Sequence, residues 1–255
     1  MPALDPKSLT VLVTGATSGF GEAIARRFVK EGAKVVATGR RGGRLQALKK
    51  ELGARVHVLE FDVRDRKATE KALTTLPKEF AEIDVAVANA GLALGLEGAP
   101  KADVADWDDM IATNVNGLLY TVKAVLPGMI ARDRGHVIAL GSVASDFPYP
   151  GGNVYGATKA FVGQFALNLR ADLLGSNVRV TTVEPGLAET EFSLVRFKGD
   201  AEKAAAPYKG IEPLNADDVA ECVYWAATLP RRVNINRVQV MPVMQAFGPF
   251  AFRRT

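Results

Sequence analysis

The alternation of short β-branched runs with longer helical patterns places the strongest constraint on the fold of this 255-residue chain. TVLVTG is typical of a buried strand, and KVVATG and RVHVLEFDV follow it with a helical pattern before each. Repeated strand–helix–strand units produce a parallel sheet with helices on both faces. We therefore predict an α/β fold, a single doubly wound Rossmann-type domain of six to seven mostly parallel strands.

This one domain is predicted to cover residues 1–255, because no linker or break in composition divides the chain. Further strands are predicted at IDVAVANAG, GHVIALGS, VRVTTVEPG and VNINRVQVMPV. Two longer helices are predicted, one through WDDMIATNVNGLLYTVKAVLPGMI and one from about Tyr155 to Leu174.

Composition and charge exclude several classes of protein. The 48% hydrophobic and 24% charged residues are those of an ordinary globular protein. The net charge of +4 is spread along the chain and does not indicate nucleic-acid binding. No export signal or membrane-spanning apolar run is found, so we expect a cytoplasmic protein with no membrane partner. His57 and His136 have no partners at metal-ligand spacing, and no metal site is predicted.

A glycine-rich stretch, TGATSGFG, follows the first predicted strand and opens a helix. Glycines at this position allow a tight turn and the close approach of a pyrophosphate to a helix N-terminus. A turn that needs glycine only for packing is the alternative. The position of the glycine-rich stretch between a strand and a helix favours a dinucleotide-binding loop. Contacts with the dinucleotide are expected from Gly15, Thr17, Ser18, Gly19, Phe20 and Gly21.

The end of the second strand indicates which dinucleotide binds. An NAD site normally has an acidic residue there, whereas this chain has Arg40 and Arg41. Two guanidinium groups suit a 2′-phosphate, although solvated arginines that begin a helix are the alternative. We predict NADP(H). Asp62 and Val63 are expected at the adenine, unless Asp62 caps a helix, and Asn89, Ala90 and Gly91 at the adenosine ribose.

Tyr155 and Lys159 are four residues apart on a predicted helix and therefore share one face. An ammonium group beside a phenol favours the ionised phenol and lowers its pKa from about 10. Ser142 lies thirteen residues upstream, at the end of a strand. Each residue has a simpler explanation when taken singly: Ser142 as a strand-end cap, Asn114 as a polar residue bonded to helix backbone, and Lys159 as a solvated lysine.

Taken together, these residues resemble the short-chain dehydrogenase/reductase family along essentially the whole chain. TGATSGFG is similar to the family's cofactor loop, Asn89-Ala90-Gly91 to its NAG motif, Asn114 to its catalytic asparagine, and Ser142 with YGATK to its active site. GNVYGATKAFV, NLRADL and LPRRVNIN look like the NADP-dependent 3-hydroxy acid dehydrogenases, which include serine and allo-threonine dehydrogenases.

The resemblance implies a role for each active-site residue. Tyr155 would exchange a proton with the substrate oxygen while a hydride passes between substrate carbon and nicotinamide. Lys159 would lower the pKa of the tyrosine and hold the nicotinamide ribose, Ser142 would orient the carbonyl group, and Asn114 would hold a water molecule. Cofactor contacts are also implied at Tyr155, Lys159, Pro185, Gly186 and Thr190.

The substrate implied is a small 3-hydroxy acid or 3-hydroxy amino acid. Its contacts are expected from Ser142, Phe147, Tyr155 and Arg196, with Arg196 binding the carboxylate, under a substrate-side lid at about 187–212. Phe147, Pro148 and Tyr149 are expected to form the wall of this pocket. The hydroxy acid relatives are expected to have a longer, glycine-containing loop after Pro185-Gly186, whereas this chain has PGLAETEF, with Glu189 close to the expected position of an anionic substrate. A sulfonate-bearing aldehyde and an uncharged ketone therefore remain alternatives.

The helix that begins at Tyr155 is apolar on more than one face, which favours an interface as well as a core position. Because the family commonly uses this helix in a four-helix interface, we predict a homotetramer, with the tail QAFGPFAF against a neighbour. A non-catalytic NADP-binding regulator is the other functional class, but it would not need all of Asn114, Ser142, Tyr155 and Lys159. A sugar-nucleotide epimerase would need a larger C-terminal region.

Overall fold

The computed structural model describes residues 4–248 and 251–254. These residues form a seven-stranded, entirely parallel sheet in the order β3-β2-β1-β4-β5-β6-β7. The predicted doubly wound α/β fold is confirmed. The strands are β1 Thr10–Val13, β2 Lys34–Gly39, β3 Val56–Glu60, β4 Val85–Ala88, β5 Gly135–Leu140, β6 Val178–Pro185 and β7 Arg237–Val240.

Strand order reverses at β1, which pairs with β2 on one side and β4 on the other. In a doubly wound sheet, ligands bind beyond the carboxyl ends of the strands at such a reversal. The motifs singled out from the sequence follow these strand ends, so the fold brings them to one crevice.

Helices cover both faces of the sheet and bury its β-branched side chains. Phe28 and Val223 pack on one face, and Val122 and Val162 pack on the other. No helix among the described residues is long and apolar enough to cross a membrane. The helices are α1 Gly19–Lys30, α2 Gly42–Leu52, α3 Arg66–Thr74, α4 Val104–Ile111, α5 Gly117–Ala131, α6 Asn153–Asp172, α7 Phe192–Arg196, α8 Ala201–Ala205 and α9 Ala216–Thr228.

The helix predicted as continuous through WDDMIATNVNGLLYTVKAVLPGMI is interrupted. A π-helical segment, Ala112–Asn116, separates α4 from α5. Such segments are rare, and they frequently occur at functional sites. Asn114 lies inside this one and is buried.

Candidate active site

The loop after β1 has the backbone that its glycines were predicted to allow. Gly15 and Gly19 have φ angles of +68° and +52°, in the left-handed region that favours glycine. A Cβ on Gly15 would lie 3.0 Å from the Cα of Ala90. Gly21 differs, because a Cβ there would collide with the carbonyl oxygen of Gly15. Gly21 therefore allows α1 to pack against the loop and does not line the crevice.

A cavity of about 290 Å³, here called the cofactor cavity, lies along this loop. Its lining fits a dinucleotide, since left-handed glycines, arginines and the start of a helix meet there. Most of the predicted cofactor residues line it: Gly15, Thr17, Ser18, Gly19, Phe20, Arg40, Arg41, Asp62, Val63, Asn89, Ala90, Gly91, Tyr155, Lys159 and Thr190.

Arg41 is held at the edge of this cavity by the loop after β1. Its Nε donates to Thr17 Oγ1 at 3.0 Å and its Nη2 to Ser18 Oγ at 2.5 Å. Glu191 also contacts it, with Oε2 3.2 Å from Arg41 Nη1, and accepts from Arg44 Nη1 at 2.8 Å. A carboxylate thus contacts Arg41, one of the two arginines predicted to bind a 2′-phosphate, together with Arg44. The sequence interpretation missed Glu191, because only the tertiary fold brings it to these arginines.

Asp62 lies at the cofactor cavity and does not cap a helix. Asp65 caps α3, accepting from the backbone N–H of Ala68 at 3.0 Å. Asp62 instead accepts from Arg64 Nε at 2.9 Å and lies 3.6 Å from Arg40 Nη1. Burial tends to raise the pKa of Asp62, but the bonds from Arg64 outweigh burial and lower it.

The side chain of Asn114 joins the loop after β4 to α6. Its Oδ1 accepts from the N–H of Leu92 at 2.9 Å, and its Nδ2 donates to Leu92 O at 2.9 Å and Thr158 Oγ1 at 3.0 Å. The π-helical segment turns this side chain toward the loop. Asn114 therefore fixes the wall beside Lys159, and its predicted water-holding role stays a prediction.

Tyr155 lies in the first turn of α6, because this helix begins two residues earlier than predicted. Ser142 acts to lower the pKa of Tyr155, and the Oγ of Ser142 accepts from the N–H of Ala144 at 3.1 Å. Ser142 is thus both a cap and a partner of Tyr155. Lys159 follows one turn later, and its Nζ donates to Leu140 O at 2.7 Å.

The two titratable groups are both shifted toward their neutral forms. Burial raises the pKa of Tyr155 to about 12. Tyr149 also raises this pKa, whereas Ser142 and Arg196 act to lower it. Burial lowers the pKa of Lys159 to about 8. The pKa of Tyr155 therefore does not lie below its ordinary value in this structure, and the role predicted for Lys159 toward the tyrosine stays a prediction. The physical reason is that burial dominates, while the amine is bonded to Leu140 and lies 5.9 Å from the ring centroid.

A second cavity of about 290 Å³, here called the substrate cavity, meets the first at Tyr155. Ser142 lines the substrate cavity. Pro185 and Gly186, which were predicted to contact the nicotinamide, also line this cavity and not the cofactor cavity. The only charged lining residues of the substrate cavity in the described part of the chain are Arg196 and Arg254.

Arg196, at the end of α7, is oriented toward the tyrosines. Its Nη2 donates to the Tyr149 hydroxyl at 2.7 Å and its Nε to Gly95 O at 3.1 Å. The guanidinium carbon lies 5.4 Å from the ring centroid of Tyr155. The cavity thus has a positive charge close to the proposed reacting oxygen, as the sequence interpretation expected.

Phe147 does not form the predicted wall of the substrate cavity. The backbone turns through Val143–Ser145 after Ser142, and the ring of Phe147 packs edge-on against Phe247, with centroids 5.2 Å apart. Of the three residues predicted for this wall, only Tyr149 lines the cavity. Glu189 is exposed and lies outside the cavity lining, although its charge acts on Tyr208, which lines the cavity.

Several lining residues were not predicted, because they come from distant segments. Phe192 lies beside Tyr155, with centroids 5.7 Å apart, and Leu96 and Tyr208 line the far wall. Phe252 and Arg254 show that the tail folds onto the chain's own cavity. Pro249 and Phe250, part of the tail predicted to meet a neighbour, lie outside the described residues. The apolar composition of the tail was the only feature of the sequence that indicated a buried contact there.

No group of three or more His, Cys, Asp or Glu side chains in residues 4–248 and 251–254 is arranged to hold a metal ion. His136 is buried, with Nε2 2.7 Å from Thr181 Oγ1, as a structural histidine would be.

Comparison with known proteins identifies the family. Residues 9–200 match the family described as short chain dehydrogenase. This chain belongs to the short-chain dehydrogenase family. An NADP-dependent 3-hydroxy acid dehydrogenase of Salmonella typhi is 60% identical over 248 residues, which are 97% of this chain and 100% of that protein.

Two further relatives also match almost the whole length of this chain. A serine 3-dehydrogenase of Agrobacterium fabrum is 54% identical over 245 residues, covering 96% of this chain and 98% of that protein. A structure described as the closed form of serine dehydrogenase complexed with NADP+ has a TM-score of 0.93 and 57% identity, covering 96% of this chain and 99% of that one. The predicted family is confirmed.

Proposed function

We propose that this short-chain dehydrogenase interconverts a small 3-hydroxy acid, or 3-hydroxy amino acid, and its carbonyl form with NADP(H). The observation that carries the proposal is Arg196, a cation beside Tyr155 in a cavity whose described lining contains no carboxylate. A guanidinium binds a carboxylate with two parallel hydrogen bonds. The relatives named for 3-hydroxy acid and serine oxidation support this substrate class.

The cofactor is NADP(H), in agreement with the prediction from Arg40 and Arg41. Similar proteins are named NADP-dependent, and the serine dehydrogenase structure contains NADP+. When bound, the nicotinamide supplies or accepts the hydride. The residues that we propose to hold the phosphates are the loop after β1 and Arg41, and those at the nicotinamide end are Lys159, Pro185, Gly186 and Thr190.

Tyr155 is proposed to exchange the proton with the substrate oxygen, because its hydroxyl lies where the two cavities meet. During oxidation the tyrosinate accepts the proton, so groups that stabilise negative charge there aid the reaction. Ser142 donates a hydrogen bond and Arg196 supplies positive charge, and both act to lower the pKa of Tyr155. Lys159 is proposed to bind the nicotinamide ribose and to take part in restoring the protonation state of Tyr155 after each reaction.

A substrate panel tests the proposal directly. The panel contains L- and D-serine, 3-hydroxypropanoate, 3-hydroxybutyrate, a hydroxyalkyl sulfonate and a neutral secondary alcohol, each assayed with NADP+ and with NAD+ through absorbance of the reduced nicotinamide. We expect the highest kcat/KM with a 3-hydroxy acid and NADP+. A higher value with the sulfonate or the neutral alcohol would select one of the alternative substrates.

A homotetramer in the cytoplasm is the proposed state of the protein. Support comes from apolar side chains left exposed on neighbouring helices, at Phe161 and Leu167 of α6 and Ile111 of α4. Light scattering should report four times the monomer mass. The Leu167→Glu variant should lower this mass, whereas the exposed polar change Asn168→Gln should not.

A further inference from the structure

A network of two carboxylates and two side chains of β7 lies beneath the loop that carries Ser142. Arg237 Nε lies 2.9 Å from Glu184 Oε1, and Arg237 Nη1 lies 2.8 Å from Asp146 Oδ2. Gln239 bridges the same pair, as its Nε2 donates to Asp146 Oδ2 at 2.8 Å and to Glu184 Oε2 at 2.9 Å. Both side chains of β7 thus join the same two carboxylates.

The Glu184 end of the network is inside the protein, next to active-site backbone. Its side chain is 0% exposed, and it directly precedes Pro185. A Cβ on Gly141 would lie 2.7 Å from the Cγ of Glu184, so the residue before Ser142 rests on this side chain. Gly163 leaves room for the network on α6, since a Cβ there would lie 3.4 Å from Arg237 Nη2.

The Asp146 end holds the other side of the Ser142 loop. Ser145 Oγ donates to Ser142 O at 2.7 Å and to Asp146 Oδ1 at 3.3 Å. Asp146 is 33% exposed, in contrast to Glu184. One end of the Ser142 loop is therefore bonded to Arg237 and Gln239 on the sheet's edge strand, and the other end packs against Glu184, which bonds the same two side chains.

We propose that Asp146 and Arg237 are positioning residues that keep Ser142 at hydrogen-bonding distance from Tyr155 and from the substrate oxygen. This inference rests on the role proposed above for Ser142. A hydroxyl on a loop is a useful donor only if the loop is held, because errors of about 1 Å in a reacting geometry reduce rates by up to about 10²-fold. The same side chains also fix Glu184 before Pro185, so the two loops at the nicotinamide end move together.

Asp146→Ala is the decisive variant, because it frees the loop but leaves the buried Glu184 paired with Arg237 and Gln239. We expect kcat to fall on the order of tenfold, with the Kd of NADP+ and the Tm unchanged. Asp146→Asn keeps an acceptor for Arg237 and should recover most of the activity. Asp172→Ala, the same change at an exposed position near the end of α6, is the matched control and should behave as wild type.

The pH profile separates positioning from a purely structural role. The groups that face Tyr155, which are Ser142, Tyr149, Arg196 and Lys159, are all retained in Asp146→Ala. A looser Ser142 should therefore raise the apparent pKa of Tyr155 in the kcat/KM profile. Arg237→Met should reproduce the loss of kcat and also lower the Tm, since it leaves Glu184 buried without its cation.

The assay uses whichever substrate of the panel has the highest kcat/KM, so a different substrate class would revise the proposed function without affecting this test. Asp146→Ala activity equal to that of Asp172→Ala would overturn the inference. A loss confined to NADP+ affinity or to Tm would also overturn it.

Discussion

The cofactor cavity and the substrate cavity have the same volume, about 290 Å³ each, but the chain builds them differently. The cofactor cavity is lined mainly by residues that directly follow β1, β2, β3 and β4. The substrate cavity collects single residues from distant segments, including Leu96, Tyr149, Arg196 and Phe252. The residues expected to carry the reaction therefore lie in short local motifs, whereas those expected to select the substrate come together only after folding.

Tyr155 belongs to both cavities, so its removal should have the largest effect. We expect Tyr155→Phe to lower kcat by about 10²–10⁴-fold, because the phenol is the only proposed proton donor and acceptor at the substrate oxygen. NADP+ affinity, measured by fluorescence titration, should change little. Tyr120→Phe is the control on α5. Retention of most activity by Tyr155→Phe would remove the proposed link between the two cavities.

Arg41 tests the cofactor cavity alone. Arg41→Ala should raise the KM for NADP+ by about 10- to 100-fold, since hydrogen bonds to a charged group contribute about 1.5–3 kcal/mol. The KM for NAD+ and for the hydroxy acid should stay close to wild type. Arg66→Ala, an exposed arginine of α3, is the comparison. Equal increases for both dinucleotides would show that Arg41 does not recognise the 2′-phosphate.

Lys159 gives a pH test at the boundary between the cavities. Its pKa is about 8 in the folded protein and near the ordinary 10.5 in the unfolded chain. Between these pH values the unfolded chain binds more protons, so this group makes the free energy of unfolding rise with pH. Over this pH range we expect the free energy of unfolding, measured with urea, to rise on the order of 1–3 kcal/mol in the wild type. The Lys159→Met variant should lack this rise. Parallel curves for the two proteins would contradict the shifted pKa.

Arg196 tests the substrate cavity alone. Arg196→Gln should raise the KM for a 3-hydroxy acid roughly tenfold and leave the KM for NADP+ and for a neutral alcohol nearly unchanged. Lys198→Gln removes a positive charge from the same segment, but one that pairs with Asp106. A similar increase in the KM for the 3-hydroxy acid in both variants would show that the overall positive charge of the segment matters, and not a contact between Arg196 and the substrate.

Glu191 is where the two regions meet, because it belongs to the predicted lid yet contacts Arg41 and Arg44. A 2′-phosphate must compete with this carboxylate for the same N–H donors. Glu191→Gln should therefore lower the Kd of NADP+ by about two- to fivefold, the scale of exposed ion pairs, without a matching change for NAD+. Glu189→Gln is the control. Weaker NADP+ binding by Glu191→Gln would mean that the carboxylate assists the cofactor.

Much of the fold was predictable because each strand and helix carries its own periodicity. The seven strands, the crevice and the cofactor motifs depend on residues that are close in sequence. The π-helical segment at Asn114 was not predictable from periodicity, since α4 and α5 continue the same apolar pattern around it. Phe147 was misplaced for a related reason: a turn of three residues decides which neighbouring aromatic side chain faces the cavity.

The Rossmann-type fold, the dinucleotide loop, the preference for a 2′-phosphate and the Tyr155–Lys159 pair could all be predicted from the sequence, because they depend on backbone periodicity and on residues at short spacing. Three features depend on the tertiary structure: burial raises the pKa of Tyr155, Glu191 contacts Arg41 and Arg44, and Leu96 and Arg254 line the substrate cavity. Burial and long-range contacts are properties of the packed chain, and no local pattern contains them.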